Sequence, residues 1–280
     1  MRRTLLHGEW PRVWEAHELQ HAYDVVIVGA GIHGLATAYY LALNHRVGRI
    51  AVVDRGYVGG GNSGRNTAIV RSNYLTPEGV RFYDRSVHLY QHLSAELNFN
   101  VMFSQRGHLT LAHSDTSLRT MAWRAEVNKL EGVDSAVIGP EEIKKLAPCL
   151  DTSTRTRYPI LGALYHPPGG TIRHDAVNWG YARAAGALGV EIHQNTEVLG
   201  IEVVSDMVKS VRTNRGAIST PVVVNCTAGH ATLLSDMVGV KMPIITHPLQ
   251  AAVTEPVKVF LNTVVVSGTL HVYVSQTDRG

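Results

Sequence analysis

Three glycines and one acid carry the first chemistry legible in this chain. Gly29-Ala30-Gly31-Ile32-His33-Gly34 follows the apolar run Tyr23-Asp24-Val25-Val26-Ile27-Val28, and Asp54 ends a second apolar run twenty positions after Gly34. Each part has a mechanical task in gripping a dinucleotide. Gly29 permits a tight turn out of a strand, Gly31 lets backbone approach a pyrophosphate, and Gly34 lets a helix pack close to that strand. The phosphates would rest on free N–H groups at the helix N-terminus, where the peptide dipoles favour an anion. Asp54 can accept both hydroxyls of an adenosine ribose.

Those residues need a strand–turn–helix–strand to hold them, and the surrounding pattern supplies it. Tyr23–Val28 reads as a strand, Ile32–Leu43 as an apolar helix, and Arg49–Val53 as the strand that presents Asp54. The span Val25–Asn44 lacks Lys, Arg, Asp and Glu. Its three glycines and His33 still favour strand–turn–helix over a membrane helix.

Composition narrows the class. The chain has 280 residues, 45% of them hydrophobic, with a formal net charge of +3. This is enough for one large or two smaller domains with a normal core. Basic residues are scattered and form no stripe with aromatics, so nucleic acid is not expected as a partner. The two cysteines, Cys149 and Cys226, lie far apart. A disulfide framework or zinc site is therefore not expected, nor is any other metal site, and a reducing, cytoplasmic setting is. Residues 1–22 contain Trp10 and Trp14 but no apolar signal region, and they read either as an extension that packs on the body or on a partner or as a disordered leader.

Further on, Gly56 and Gly59-Gly60-Gly61-Asn62-Ser63-Gly64-Arg65-Asn66-Thr67 form a glycine-rich loop. A helix capped by Thr76 runs from Pro77 to about Leu97, and one capped by Ser114 runs to Leu130. Strands are expected near Val101–Phe103, His108–Ala112, Ala163–Tyr165, Val190–His193, Glu197–Val204, Lys209–Thr213, Pro221–Asn225, Ile244–Thr254, Thr263–Val266 and His271–Ser275. A helix is expected over Asp175–Leu188. Val222-Val223-Val224-Asn225 ends at Cys226-Thr227-Ala228-Gly229, a second strand-to-helix turn with glycine.

The expected fold class is α/β: a Rossmann-type FAD-binding domain interrupted by a mixed-sheet α+β substrate domain. The FAD-binding domain would comprise 23–72 and 162–240, and the substrate domain 73–161 and 241–280. The resumption of the sheet near Val222, after an insertion, points to FAD rather than NAD. This arrangement resembles the FAD-containing amine oxidases of the D-amino-acid oxidase type. The segments Gly61–Thr67, Ile69–Tyr74 and Arg173–Val177, with the tryptophans of the extension, are similar to the β subunit of heterotetrameric sarcosine oxidase.

That resemblance implies oxidation of sarcosine, N-methylglycine, at non-covalent FAD. Electrons would pass to covalent FMN and then to oxygen, giving glycine, hydrogen peroxide, and formaldehyde or methylene-tetrahydrofolate. It implies partner α, γ and δ subunits, with tetrahydrofolate bound on a partner, and no membrane. It places the FMN on His174, and the FAD among Gly29, Gly31, Gly34, Asp54, Arg55, Asn62, Ser63, Gly64, Asn66, Thr67, Val198, Ala228 and Gly229. Arg71 would clamp the substrate carboxylate, since a planar guanidinium matches a carboxylate bidentately. His271 and Tyr273, alternating along a strand, would share one face, which either reaches substrate or flavin or faces solvent or a partner chain. Other FAD-dependent amine dehydrogenases or oxidases, acting on dimethylglycine, sarcosine or glycine, share the same frame. Such proteins continue beyond the position of Gly280, so an incomplete, inactive flavin-binding fragment is a further expectation.

Overall fold

The computed structural model describes residues 12–277 and Gly280. Trp10 of the expected extension lies outside the described residues. In chain order the elements begin β1 (Val25–Val28), α1 (Ile32–His45), β2 (Ile50–Val53), β3 (Ile69–Val70), α2 (Pro77–Glu96), β4 (His108–Ala112) and α3 (Asp115–Leu130). They continue β5 (Ala136–Ile138), α4 (Pro140–Leu146), β6 (Gly162–His166), β7 (Gly170–Thr171), α5 (His174–Ala187), β8 (Glu191–His193) and β9 (Val198–Val204). The last are β10 (Met207–Thr213), β11 (Gly216–Ser219), β12 (Val223–Asn225), α6 (Ala231–Asp236), β13 (Val264–Ser267) and β14 (Val272–Val274).

The chain divides into two compact units. The first runs to Asn66 and resumes over His174–Gln250; the second comprises Thr67–Arg173 and Ala251–Gly280. Residues 67–72 and 162–173 thus lie in the second unit, not in the FAD-binding domain where the sequence placed them. The reason is strand pairing: β6 bonds to β4 and β5, and β3 bonds to β7. Residues 241–250 lie in the first unit, where Thr246 Oγ1 donates to the Gly229 carbonyl at 3.0 Å.

In the first unit a parallel sheet runs in the order β12-β1-β2-β8. The four residues of β1 and the four of β2 are all buried, as parallel strands covered on both faces must be. Alternate side chains Val26, Val28, Ala51 and Val53 pack with Val198, Val211 and Ile218 of the antiparallel β9-β10-β11 sheet. α1 packs beside α5. Trp14 of the extension reaches α5, where a Cβ on Gly186 would stand 3.8 Å from the Trp14 Cβ.

In the second unit a mixed sheet runs β14-β13-β4-β6-β5, parallel only between β13 and β4. Ser114 caps α3 through a capping box with Ser117, and Thr76 caps α2. α3 packs Met121 and Ala125 on Ala112 and Leu164 of the sheet.

Some expected strands are absent. Val101–Phe103 is irregular, with Met102 at φ +53°. Ile244–Thr254 forms no ladder, and Leu249 and Val253 are more than nine-tenths exposed. β11 carries little strand signal in the sequence, because it is four residues long with Ile218 its one β-branched side chain. His271 is not on β14 but in the turn before it, at φ +52°, so its side chain does not alternate with that of Tyr273 as the strand reading expected.

Candidate functional site

β1 ends at Gly29, which turns with φ +112°. A Cβ there would lie 2.5 Å from the Cys226 carbonyl oxygen. Only glycine accepts both this backbone and this neighbour. Cys226 is held there by its own N–H, which donates to the Val28 carbonyl at 2.9 Å. A Cβ on Gly34 would fall 1.9 Å from the Gly29 carbonyl oxygen, so the helix can sit this close to the strand only without a side chain.

α1 begins with no side-chain cap at Gly31 and no acid in its first turn. Its dipole and first-turn N–H groups are left for an anion. One of them is taken: the Ile32 N–H donates to Ser63 Oγ at 2.9 Å. Ser63 therefore meets the start of α1 while its own O–H stays available to a ligand.

Asp54 stands at the end of β2. Its Oδ2 accepts the Ala30 N–H at 2.7 Å, and its Oδ1 accepts the Gly56 N–H at 2.8 Å. Each carboxylate oxygen keeps a lone pair, so ribose hydroxyls can still be accepted. The Thr196 N–H donates to the Asp54 carbonyl and the Asn195 N–H to the Gly56 carbonyl, both at 2.7 Å. These bonds tie the entry of β9, with buried Val198, to the same turn. The Val198 side chain belongs to the core, which leaves its backbone for a ligand.

The glycine loop folds back over α1. The Gly59 N–H donates to the Ala30 carbonyl at 2.9 Å, and Asn62–Gly64 make a short 3-10 turn. A Cβ on Gly64 would fall 2.4 Å from the Gly59 carbonyl oxygen. Asn66 Nδ2 donates to the Ser63 carbonyl and stiffens the turn. Arg55 Nη2 lies 3.1 Å from His230 Nε2, beside the turn that carries Ala228, at φ +50°, and Gly229. His174 opens α5 half-buried, and its carbonyl accepts Asn178 Nδ2 at 2.7 Å. Asn178 in turn packs on Gly59, so the first turn of α5 abuts the glycine loop.

Gly29, Gly31, Gly34, Asp54, Arg55, Asn62, Ser63, Gly64, Asn66, Val198, Ala228, Gly229 and His174 therefore share the first unit. The cradle has the shape and polarity of a dinucleotide site: backbone packed where any Cβ would intrude, an uncapped helix start, and an acid beside it.

Thr67, Arg71, His271 and Tyr273 belong to the second unit. Thr67 is half-buried where that unit begins. Arg71 Nη1 donates to Asn73 Oδ1 at 3.0 Å, and its guanidinium lies 4.2 Å from the centre of the Tyr74 ring. Tyr74 stacks on Tyr83 at 3.8 Å. A cation held over stacked rings keeps one orientation and loses little entropy on binding. Among the described residues Arg71 forms no ion pair with a carboxylate.

Sequence reading missed the groups around Arg71. Arg124 of α3 donates to the Asn73 carbonyl. His166 donates from Nδ1 to the Asp134 carbonyl at 2.8 Å, which leaves Nε2 to accept the Ser72 N–H at 3.2 Å. Burial holds His166 below the ordinary histidine range. His108, fully buried, is pushed down to about 3, first by burial and then by the charges of Arg71, His166 and Arg124. His271 and Tyr273 are exposed, and among the described residues β14 bonds only to β13. Among the described residues nothing joins their side chains to Arg71, nor do any His, Cys, Asp and Glu side chains group as metal ligands. No helix among them is long and apolar enough to cross a membrane.

Residues 24–280 match a family described as FAD dependent oxidoreductase. The chain is 45% identical over 98% of its length to the sarcosine oxidase subunit beta of Rhodobacter capsulatus, and 45% identical over 96% to that of an Arthrobacter species. It spans 66% of each of those relatives. Among solved structures it is similar to L-proline dehydrogenase from P. horikoshii, with a TM-score of 0.84 and 31% identity, covering 94% of this chain and 69% of that one. Glycine oxidase from Geobacillus kaustophilus shares the fold, with a TM-score of 0.74 at 22% identity, covering 89% of this chain and 67% of that one.

Proposed function

The chain belongs to the FAD dependent oxidoreductase family, and on that premise we propose that it acts as the β subunit of a hetero-oligomeric sarcosine oxidase. The observation that carries this reading is the 45% identity, over nearly the whole chain, to proteins named sarcosine oxidase subunit beta. The cradle around Gly29, Gly31 and Gly34 suits the pyrophosphate of FAD, with the Asp54 carboxylate toward the ribose and the Val198 backbone toward the adenine. Arg55, Asn62, Ser63, Gly64, Asn66 and Thr67 would line the path to the flavin, and Ala228 and Gly229 the pyrophosphate side. FAD held there supplies a two-electron acceptor for hydride from the substrate methyl carbon.

The chain's own residues supply placement. Arg71 would grip the substrate carboxylate with its guanidinium fixed by Asn73 and Tyr74. Holding the carboxylate fixes the amine and methyl group along one line, which converts binding into orientation. His174, at the start of α5, would carry FMN covalently through a ring nitrogen; a neutral imidazole is a competent nucleophile near neutral pH. His174 has no ring hydrogen bond among the described residues, which leaves both nitrogens available. The methyl carbon would leave as formaldehyde or pass to tetrahydrofolate on a partner subunit, with α, γ and δ subunits completing a cytoplasmic assembly. His271 and Tyr273 would stand toward substrate or a partner.

The test is anaerobic bleaching. FAD-loaded protein mixed with sarcosine loses its oxidised-flavin absorbance, and glycine leaves it unchanged. Bleaching by L-proline but not by sarcosine moves the assignment to the proline-dehydrogenase branch, which the 31% identity to that structure makes the natural rival.

A further inference from the structure

Among the described residues several buried polar atoms of the second unit have no hydrogen-bond partner, and those of Asn73 and Arg124 converge. Asn73 is fully buried with Nδ2 unpartnered; Arg124 Nε is buried without an acceptor; both ring nitrogens of His108 are unpartnered at 1% exposure. Asn73 lies between two guanidinium groups: Arg71 Nη1 donates to its Oδ1, and Arg124 Nη2 donates to its backbone carbonyl. Among the described residues neither arginine is paired with a carboxylate. Their mutual repulsion is felt: burial, then the Arg71 charge, lowers Arg124 to about 10. Asp84, whose charge reaches His166, is engaged by Ser72 at 3.1 Å and His88 at 3.2 Å.

Two cations drawn onto one asparagine, partly out of water and without a counter-charge, are costly unless an anion joins them. Both arginines are only partly buried, so a small anion can reach them. A carboxylate offers about four lone-pair directions and can accept from several donors at once. We propose that Arg124 joins Arg71 in a paired-guanidinium site for one small carboxylate, with Asn73 Nδ2 as a third donor. The proposal rests on the reading of Arg71 as carboxylate holder and assigns the second charge to α3. His108, which feels the charges of both arginines, is held neutral by its burial, so the anion balances two charges rather than three.

Acetate is the probe, and its affinity for the full chain is measured by calorimetric titration at fixed ionic strength. Wild type binds acetate; failure to bind overturns the proposal. Arg124→Gln weakens acetate on the order of tenfold or more, as loss of a charge-assisted bond requires, and Arg124→Lys recovers part of it. Acetate binding unchanged in Arg124→Gln but lost in Arg71→Gln overturns the role of Arg124 and leaves that of Arg71 standing. Unchanged binding in both variants removes both. Where Arg124→Gln does not fold, Asn73→Asp decides: an internal carboxylate between the guanidiniums raises the melting temperature and abolishes the acetate response. Persistence of acetate binding in Asn73→Asp overturns the proposal.

Discussion

Asp54 Oδ2 accepts the Ala30 N–H at 2.7 Å, so the acid at the end of β2 and the glycine turn at the end of β1 are one hydrogen-bonded unit. The acid that would face the ribose also shapes the turn that would face the pyrophosphate. Asp54→Asn removes the charge and one of two acceptors, leaving the Ala30 or Gly56 N–H short of a partner. The expected result is FAD affinity lower by more than tenfold and stability lower by about 1–3 kcal/mol. Flavin-fluorescence titration and urea denaturation measure the two together. A variant that binds FAD normally would detach Asp54 from the cofactor.

The glycines of the fingerprint differ in what they tolerate. Gly34→Ala drives a methyl into the Gly29 carbonyl, backbone against backbone, and is expected to cost about 3 kcal/mol or more. Gly31→Ala meets only the Ser63 Oγ at 2.9 Å, a side chain that can turn away. It should fold, with the Ile32 N–H released and FAD weakened. Thermal melts of the two apoproteins, followed by FAD titration of the one that folds, check the order. Equal melting temperatures would contradict it.

If His174 carries FMN, yellow fluorescence travels with the denatured chain on a gel and disappears in His174→Ala. FAD, held without a bond, stays extractable by acid in both. Fluorescence that survives the substitution transfers the attachment elsewhere.

His108 gives a dependence on pH whose sign follows from its burial. Its folded value of about 3 lies below the free value of 6.5. Between those values the unfolded chain binds the extra proton, so stability is complete above about pH 6.5 and falls as pH drops toward 3. His108→Leu removes one titrating group from that window. Its loss of stability between pH 7 and pH 5, read from urea midpoints, is shallower than in wild type. His166 and His193, also held low by burial, keep the slope from vanishing. Identical slopes in both proteins would show that His108 binds protons equally in the folded and the unfolded chain.

The sequence made the nucleotide half legible because its signals are local. A glycine at φ +112°, an apolar helix and an acid after the next strand are set by neighbours in the chain. Thr76 and Ser114 were readable as caps for the same reason. Arg124 was invisible: on α3 it is one polar residue in a helix with apolar side chains on its inner face. Only tertiary packing brings it to Asn73, just as β4–β6 pairing sets His108 opposite His166. The residues 244–254 misled because β-branched and apolar side chains favour a strand, yet a strand exists only where a partner supplies a ladder. His271 misled because one left-handed residue breaks alternation, and composition does not announce it.

The parallel pairing of β1 with β12 sets an order of events during synthesis. Val26 bonds in register beside Val223, and the entire second-unit segment Thr67–Arg173 emerges between them. At roughly 5–20 residues per second, the edge of β1 waits on the order of ten seconds or more at the ribosome before β12 arrives. Through that interval an apolar strand is open to wrong partners. Slowing translation between Arg173 and Val223, or withholding chaperones, should therefore raise aggregation of the nascent chain more than a similar delay after Asn225.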